Sequence, residues 1–241
     1  MLSALGWLIV SIVGGLTASI TGFGIGSLLT PLLATRISVA DAVLAVSIPH
    51  AIATAIRCWR LRHAIRRDLL KGFGIASAVG GLIGAFALLS FRPIAAIVLG
   101  ILLIATGSAG LSAWNRRVHP GKSVATVLGA LSGLFGGIAG NQGGLRAAAL
   151  TAFDLTPAEF VATSTAVGLM VDAGRLPVYL IRDHHAISGM AVIMGIATIG
   201  VIIGTVAGER ILLQFSRKRY QQALSTLILI LGVWVLIDAL R

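Results

Sequence analysis

The residues best suited to chemistry in this sequence are polar groups set inside otherwise apolar stretches. Arg146 stands in GGLRAAAL, two residues after Gly144. Asp172 and Arg175 lie within the apolar stretch 158–181. Spaced i, i+3, they share a helix face and can pair. An arginine at apolar depth is costly and normally faces a protein interior or a cavity. Arg146 is therefore a candidate anion contact, with snorkelling to a membrane surface as the alternative. Arg175 can bind an anion while Asp172 orients it or exchanges a proton. A purely structural ion pair fits the same spacing. Ser164 and Thr165, two or three turns earlier, can donate hydrogen bonds to the same ligand, although hydroxyls in membrane helices more often bond the preceding carbonyls. Arg57 is a further cation at the end of an apolar stretch, close to a basic run that explains it equally well. His50, alone among apolar residues, reads as a packing histidine.

Two glycine-rich strings interrupt the apolar pattern: Gly22-Phe23-Gly24-Ile25-Gly26 and Gly140-Asn141-Gln142-Gly143-Gly144. Non-helical backbone at membrane depth is tolerated only where it is buried in protein or lines a cavity. Each break leaves N–H groups free at the start of a short helix, and each start carries the positive end of a helix dipole. Two such starts facing each other make an anion site. Gly24, Gly26, Asn141, Gln142, Gly143 and Gly144 are thus substrate-binding candidates, together with Arg146, Ser164, Thr165, Arg175 and Arg57. Close helix packing is the competing role for the glycines, but packing has no use for Asn141 and Gln142.

These residues need elements that hold them in a bilayer. The chain has 241 residues, 57% hydrophobic and only 11% charged, with a mean hydropathy of +0.98. Soluble domains carry roughly 25% charged residues. Apolar stretches of roughly 20 residues recur along the whole length, as a bilayer requires. The 25–35 and 145–153 stretches are too short to cross as helices. The start, MLSALGWLIV, lacks a basic region and cleavage site and is expected to belong to the mature chain.

The chain repeats itself. At an offset of 118, Gly15, Gly22 and Gly26 fall on Gly133, Gly140 and Gly144, and Arg57 falls on Arg175. Ser38-Val39-Ala40-Asp41 meets Thr156-Pro157-Ala158-Glu159, a matched pair of helix starts. At an offset of 120, Gly80 and Gly84 meet Gly200 and Gly204.

Charge constrains the topology. Of 19 Lys and Arg, 13 fall in three places: Arg57 to Lys71, Arg116 to Lys122, and Arg210 to Arg219. The positive-inside rule expects all three in the cytoplasm. A count of eight crossings puts the third opposite the other two. If each glycine break is instead the tip of a hairpin that returns to its own side, all three clusters share one face and both termini share the other. The expected fold is an all-α integral membrane protein of two inverted repeats, each a re-entrant helical hairpin plus three transmembrane helices. The first repeat is 1–121, with hairpin 2–35 and helices near 40–57, 70–90 and 93–113. The second is 122–241, with hairpin 123–153 and helices near 158–181, 186–207 and 221–240. Segment 2–20 is also long enough to cross alone. Trp59 and Trp114 flank basic loops while Trp7 and Trp234 lie near the termini, as interfacial belts require.

Other functions find little support. The net charge of +11 sits in short loops without interleaved aromatics, so no nucleic acid is expected. Cys58 is the single cysteine, and His184 and His185 are adjacent and poorly placed as ligands, so neither a metal nor another cofactor is expected. The glycine strings follow no strand, against a nucleotide-binding turn. No GxSxG elbow or nucleophile–base pattern suggests an enzyme.

The paired breaks and their following helices resemble the TauE/SafE family of membrane permeases. The likeness is carried by ITGFGIGSLLTPLL, by GLFGGIAGNQGGLRAAAL and by LTPAEFVATSTAVGLMVD. It implies a carrier of sulfite, small organosulfonates or related sulfur-containing anions. The expected function is secondary transport by alternating access in a bacterial inner membrane, with the site between the hairpin tips. Basic loops 57–71, 114–122 and 208–219 would be cytoplasmic and both termini external. A proton or sodium ion is the expected coupling ion, with Asp172 the proton candidate, and a second copy of the chain is a candidate partner. An anion channel and a non-transporting subunit of a membrane complex are the alternatives. The chain departs from the family at Asn141-Gln142-Gly143-Gly144, where a purer glycine run is usual, at Arg146, where an apolar residue is usual, and at Ala149, opposite Pro31.

Overall fold

The computed structural model describes residues 3–21, 24–111, 121–141, 143–150, 153–182, 189–211 and 217–240. These residues are overwhelmingly helical, with no strand among them. In chain order the helices are α1 (Ala4–Thr21), α2 (Ile25–Ala34), α3 (Val39–Arg60), α4 (Arg67–Ser90), α5 (Arg92–Leu111), α6 (Lys122–Ala139), α7 (Gly143–Leu150), α8 (Pro157–Arg182), α9 (Ala191–Ile211) and α10 (Arg217–Ala239). Four are long and apolar enough to cross a membrane: α3, α4, α6 and the Ala191–Gly208 part of α9. At 1.5 Å per residue, the 18 residues of α1 reach about 27 Å, and the 10 of α2 only about 15 Å.

The matched helix starts form matched caps. Ser38 Oγ accepts the Asp41 amide at 3.1 Å and donates to the Asp41 carboxylate at 2.7 Å. Thr156 and Glu159 cap reciprocally: the Thr156 amide donates to Glu159 Oε2 at 2.9 Å, and the Glu159 amide to Thr156 Oγ1 at 3.3 Å. Both satisfy N–H groups that a helix leaves without a partner at its start. The caps start α3 and α8, the two helices that carry Arg57, Asp172 and Arg175.

Both glycine strings break the helix. The positive-φ residues among those described are Gly24 (137°), at the start of α2, and Gly140 (67°), at the end of α6. A side chain is strained in that region, which is why glycine stands there. After each break the chain folds back. Gly24 packs against Thr17 and Ala18, and Gly14 against Leu29 and Ile25, so α2 returns along α1. In the same way α7 packs on α6. The helix α1 is therefore the first arm of a folded-back pair.

The main helix seams recur in pairs. The helix α1 packs on α9, and α6 packs on α4. Each seam is lined by glycines whose backbones meet directly: a Cβ at Gly204 would strike the Ile12 carbonyl, and one at Gly84 the Leu134 carbonyl. Small residues permit this approach, which makes up for the missing hydrophobic drive between helices in lipid. Both seams are parallel: Gly200 lies by Leu8 and Gly208 by Leu16, while Gly129 lies by Phe73 and Gly137 by Gly81. The α5–α10 seam is antiparallel, with Gly100 against Leu236 and Gly107 against Leu229. The α3–α8 seam is also antiparallel, as its side-chain contacts show below.

These polarities decide where the ends lie. The starts of α4 and α6 share one end of the bundle. Only Phe91 separates α4 from α5. The chain reverses there, since Thr106 of α5 lies against Gly144 beyond the far end of α6. The end of α5 and the start of α10 therefore lie with the starts of α4 and α6. Basic residues from all three clusters, including Arg66, Lys122 and Arg217, thus gather at one end of the bundle. The start of α1 and the end of α10 lie at the other. Most large exposed apolar side chains, such as Ile83, Ile101, Val127 and Ile203, face outward from the seams. That is the pattern of a bundle dissolved in lipid.

Candidate functional site

The two glycine breaks meet inside the bundle. Gly26, in the first turn of α2, lies so close to the Gly140 carbonyl that no Cβ would fit between them. Beside that contact, Ser27 Oγ donates to Asn141 Oδ1 at 3.0 Å. Thr30, one turn further along α2, lies next to Gly140. The start of α2 is therefore built against the end of α6. All of these groups are buried, with Asn141 at 4% exposure and Thr30 at 0%.

The helices α3 and α8 cross antiparallel beside the breaks and supply the charges. Arg57 Nε donates to Thr165 Oγ1 at 3.0 Å. His50 Nδ1 and Asp172 Oδ2 are 2.7 Å apart. Both pairs follow from one register, because 50 to 57 and 165 to 172 are equal spacings of two turns. Arg175 is held on three sides. Its Nε and one terminal nitrogen donate to Asp172 Oδ1 at 3.0 and 2.8 Å, and the other donates to the Gly136 carbonyl at 2.7 Å. Tyr179, one turn later, donates its hydroxyl to the Gly137 carbonyl. Asp172, Arg175 and Tyr179 thereby tie α8 to the last turn of α6, just before the break.

Arg146 reaches the same region from α7. Its Nε donates to Ser164 Oγ at 3.0 Å, and its guanidinium lies over Gly168. Ser164 and Thr165 are neighbours in the chain, so they bring the Arg146 and Arg57 head groups to adjacent stations on α8. Thr163 completes the hydroxyl run by accepting the Arg66 amide at 3.1 Å, which ties the α3–α4 connection to the first turns of α8.

The electrostatic balance is lopsided. Buried charged side chains among the described residues are Arg57, Arg146, Arg175 and Asp172, with exposures of 0 to 2%. One carboxylate faces three guanidiniums, and that carboxylate is engaged by Arg175 and His50. Arg57 and Arg146 each keep one terminal nitrogen buried with no hydrogen-bond partner. Asn141 Nδ2 and Thr30 Oγ1 are also buried and unpartnered. Buried polar groups are ordinarily satisfied, and each exception needs a reason. Two uncompensated cations in an apolar bundle are costly unless an anion joins them. No group of three or more His, Cys, Asp or Glu side chains suited to a metal occurs among the described residues.

Residues 7–235 match the protein family described as Sulfite exporter TauE/SafE. The chain belongs to the TauE/SafE sulfite exporter family. A comparison with curated proteins and one with solved structures each find no match. TauE/SafE proteins are membrane transporters, so transport, membrane location and transmembrane helices follow for this chain.

In this TauE/SafE chain the residues expected from the sequence fall into three groups. Arg57 and Arg146 bond to the neighbouring Thr165 and Ser164 on α8, Asn141 bonds to Ser27 where the breaks meet, and Gly26 and Gly143 are buried. Arg175 and Asp172 pair as their spacing suggested, and the pair also anchors α6. Gly24 packs on Thr17, and Gly144 on Thr106. Gln142 lies outside the described residues, as do Gly22, Phe23, Trp114, Arg116, Arg117, His184 and His185. Thr165 takes the carbonyl-bonding alternative, donating to the Val161 carbonyl at 2.7 Å while accepting from Arg57.

Sequence reasoning passed over Ser27, Thr30 and Tyr179, which border the breaks, and gave His50 no partner; in the structure it is buried against Asp172. The equal spacing from His50 to Arg57 and from Thr165 to Asp172 was the available signal, but using it required knowing that α3 and α8 cross antiparallel.

Proposed function

We propose that this chain is a secondary transporter of a small sulfur-containing anion, sulfite or a small organosulfonate, working by alternating access. One observation carries the reading. The guanidiniums of Arg57 and Arg146 are both buried, bonded to the consecutive residues Thr165 and Ser164, each with a donor left over, where the only buried carboxylate among the described residues is already engaged. A sulfur oxyanion offers several acceptor oxygens on one compact centre, and guanidiniums are well suited to such groups. The site would consist of Arg57, Arg146, Ser164, Thr165 and Asn141, roofed by the starts of α2 and α7. Gln142, Gly143 and Gly144 extend it along the second break. Arg175 and Asp172 hold the wall of the site, and Arg175 would reach the anion as the helices rearrange.

Two repeats, 1–121 and 122–241, fit the same reading as inverted halves. The reciprocal α1–α9 and α6–α4 seams, and the α3–α8 and α5–α10 seams that pair each helix with its own counterpart, are what a pseudo-two-fold axis produces. The first arm of each hairpin, α1 and α6, is packed on the other half. A site at the junction of such halves is the usual plan of a secondary carrier. The gathering of basic helix ends at one end of the bundle supports a cytoplasmic position for the three basic loops and an external one for both termini. The coupling ion is H⁺ or Na⁺, the membrane a bacterial inner membrane, and a homodimer the candidate assembly.

The test is uptake of isotopically labelled sulfite and labelled methanesulfonate into vesicles holding the purified chain. Wild type is expected to concentrate one of them, and Arg57→Gln to lose that uptake while retaining the wild-type helical spectrum. Full uptake by Arg57→Gln would remove this residue from the site and the reading with it.

A further inference from the structure

His50 has a role that anion binding alone does not require. It sits on α3, at 6% exposure, and its ring meets Asp172 of α8 at 2.7 Å. Thr54 Oγ1, one turn along, lies 3.5 Å from the same ring nitrogen. The charged groups that act on it are Asp172 and Arg175 from α8 and Arg57 from its own helix. Arg57 is two turns away, roughly 10 Å along the axis. Asp172 is shared: Oδ1 belongs to Arg175 and Oδ2 to His50.

We propose that His50 takes up a proton together with the anion, making the pair the unit that is carried. This inference rests on the anion-carrier reading given above. In the empty site, the unpaired charge on Arg57 and the further charge on Arg175 oppose a third cation nearby. Asp172 alone favours it. When an anion settles on Arg57 and Arg146, the field of Arg57 at His50 is cancelled while the Asp172 bond remains. The ring then gains a proton on its second nitrogen and keeps its Nδ1–H donated to Asp172. Histidine is the side chain whose ordinary titration lies near neutral pH, so a modest change of field moves its charge state. Coupling is reciprocal: if the anion promotes the proton, the proton tightens the anion by the same factor. The His50–Asp172 contact joins α3 to α8, so the protonated pair also binds the two helices that flank the site more firmly. Proton and anion would thus report jointly to the interface that must rearrange.

The experiment is calorimetric titration of the purified full chain with sodium sulfate and with sodium methanesulfonate, whose charges do not change near neutral pH. Repeating the titration in buffers of different ionisation enthalpy counts protons taken up per anion bound. Wild type is expected to take up about one proton per anion, with affinity rising by up to about tenfold per pH unit of acidification where His50 titrates. His50→Gln keeps a polar ring-sized partner for Asp172 and is expected to bind the anion with no proton uptake and no pH dependence. Wild-type binding without proton uptake overturns the inference and leaves the carrier reading standing. Proton uptake that persists in His50→Gln overturns it too, and moves the proton to Asp172. Should His50→Gln fail to fold, His50→Asn replaces it in the same titration, and a wild-type count of zero protons still overturns the inference. If neither anion binds at all, both the inference and the carrier reading fall.

Discussion

Replacing Arg146 with leucine separates a binding role from a structural one. Leu28 already occupies the corresponding position of the first half at the offset of 118, so leucine is a natural replacement there. The side chain makes one hydrogen bond in the structure, to Ser164, and leaves one terminal nitrogen unpartnered. Losing a hydrogen bond to a charged group costs about 1.5–3 kcal/mol, and removing a buried unsatisfied donor returns about 1–3 kcal/mol. Relief of repulsion from Arg57 adds to the second side. Stability should therefore change by no more than about 1–2 kcal/mol and can rise. Binding is a different matter. A guanidinium about 4 Å from a single anionic charge is worth roughly 4 kcal/mol at an effective dielectric constant near 20. That corresponds to an affinity loss approaching 10³-fold. Two assays on the same preparation decide: a melting curve in detergent, and displacement of labelled sulfite across a concentration series. The expected variant melts at or above the wild-type temperature and binds at least about 30-fold more weakly. A variant that melts far lower yet binds normally would show Arg146 to be a structural pin, and would refute the reasoning from its unpartnered nitrogen.

Three further outcomes follow from the geometry. Gly26→Ala places a methyl group on the Gly140 carbonyl, so the two breaks must separate; overpacking of this kind costs about 1–3 kcal/mol, and labelled uptake should fall steeply, whereas Gly72→Ala, which meets open space, should leave the melting curve and uptake unchanged. Asp172→Asn strands Arg175 beside a neutral amide and should cost about 3–5 kcal/mol of stability, read as a lowered melting temperature, because one charge of a buried pair is left without its partner. Reporters fused after Arg117, after Lys218 and at Arg241 should place the first two on the cytoplasmic side and the last outside; opposite locations for the first two would break the inverted arrangement of the halves.

The helices, their caps and the breaks were legible in the chain because their causes are local. Ser38 with Asp41 and Thr156 with Glu159 specify helix starts through contacts three residues apart. Gly24 and Gly140 mark breaks because their backbone angles exclude other residues. The pairing of Asp172 with Arg175 needs nothing beyond one helical turn. Apolar length and the clustering of Lys and Arg, read against the bilayer, point to hairpins that return to their own side.

What the sequence could not supply was any relation between residues more than a turn or two apart. Nothing in the order of residues says that α3 crosses α8 antiparallel, and that crossing alone sets His50 on Asp172 and Arg57 on Thr165. Nothing says which head groups remain unsatisfied once the bundle is packed. By spacing, Arg175 looks as suited to an anion as Arg146 does. The tertiary structure commits Arg175 to Asp172 and Gly136, and leaves the spare donors on Arg57 and Arg146. The physical reason is that a buried charge is defined by what surrounds it, and the surroundings come from helices far apart in the chain. Residue type and period determined that this protein is a helical membrane bundle with two internal breaks. Only the packing of those helices decided which of its buried charges keep a donor without a partner.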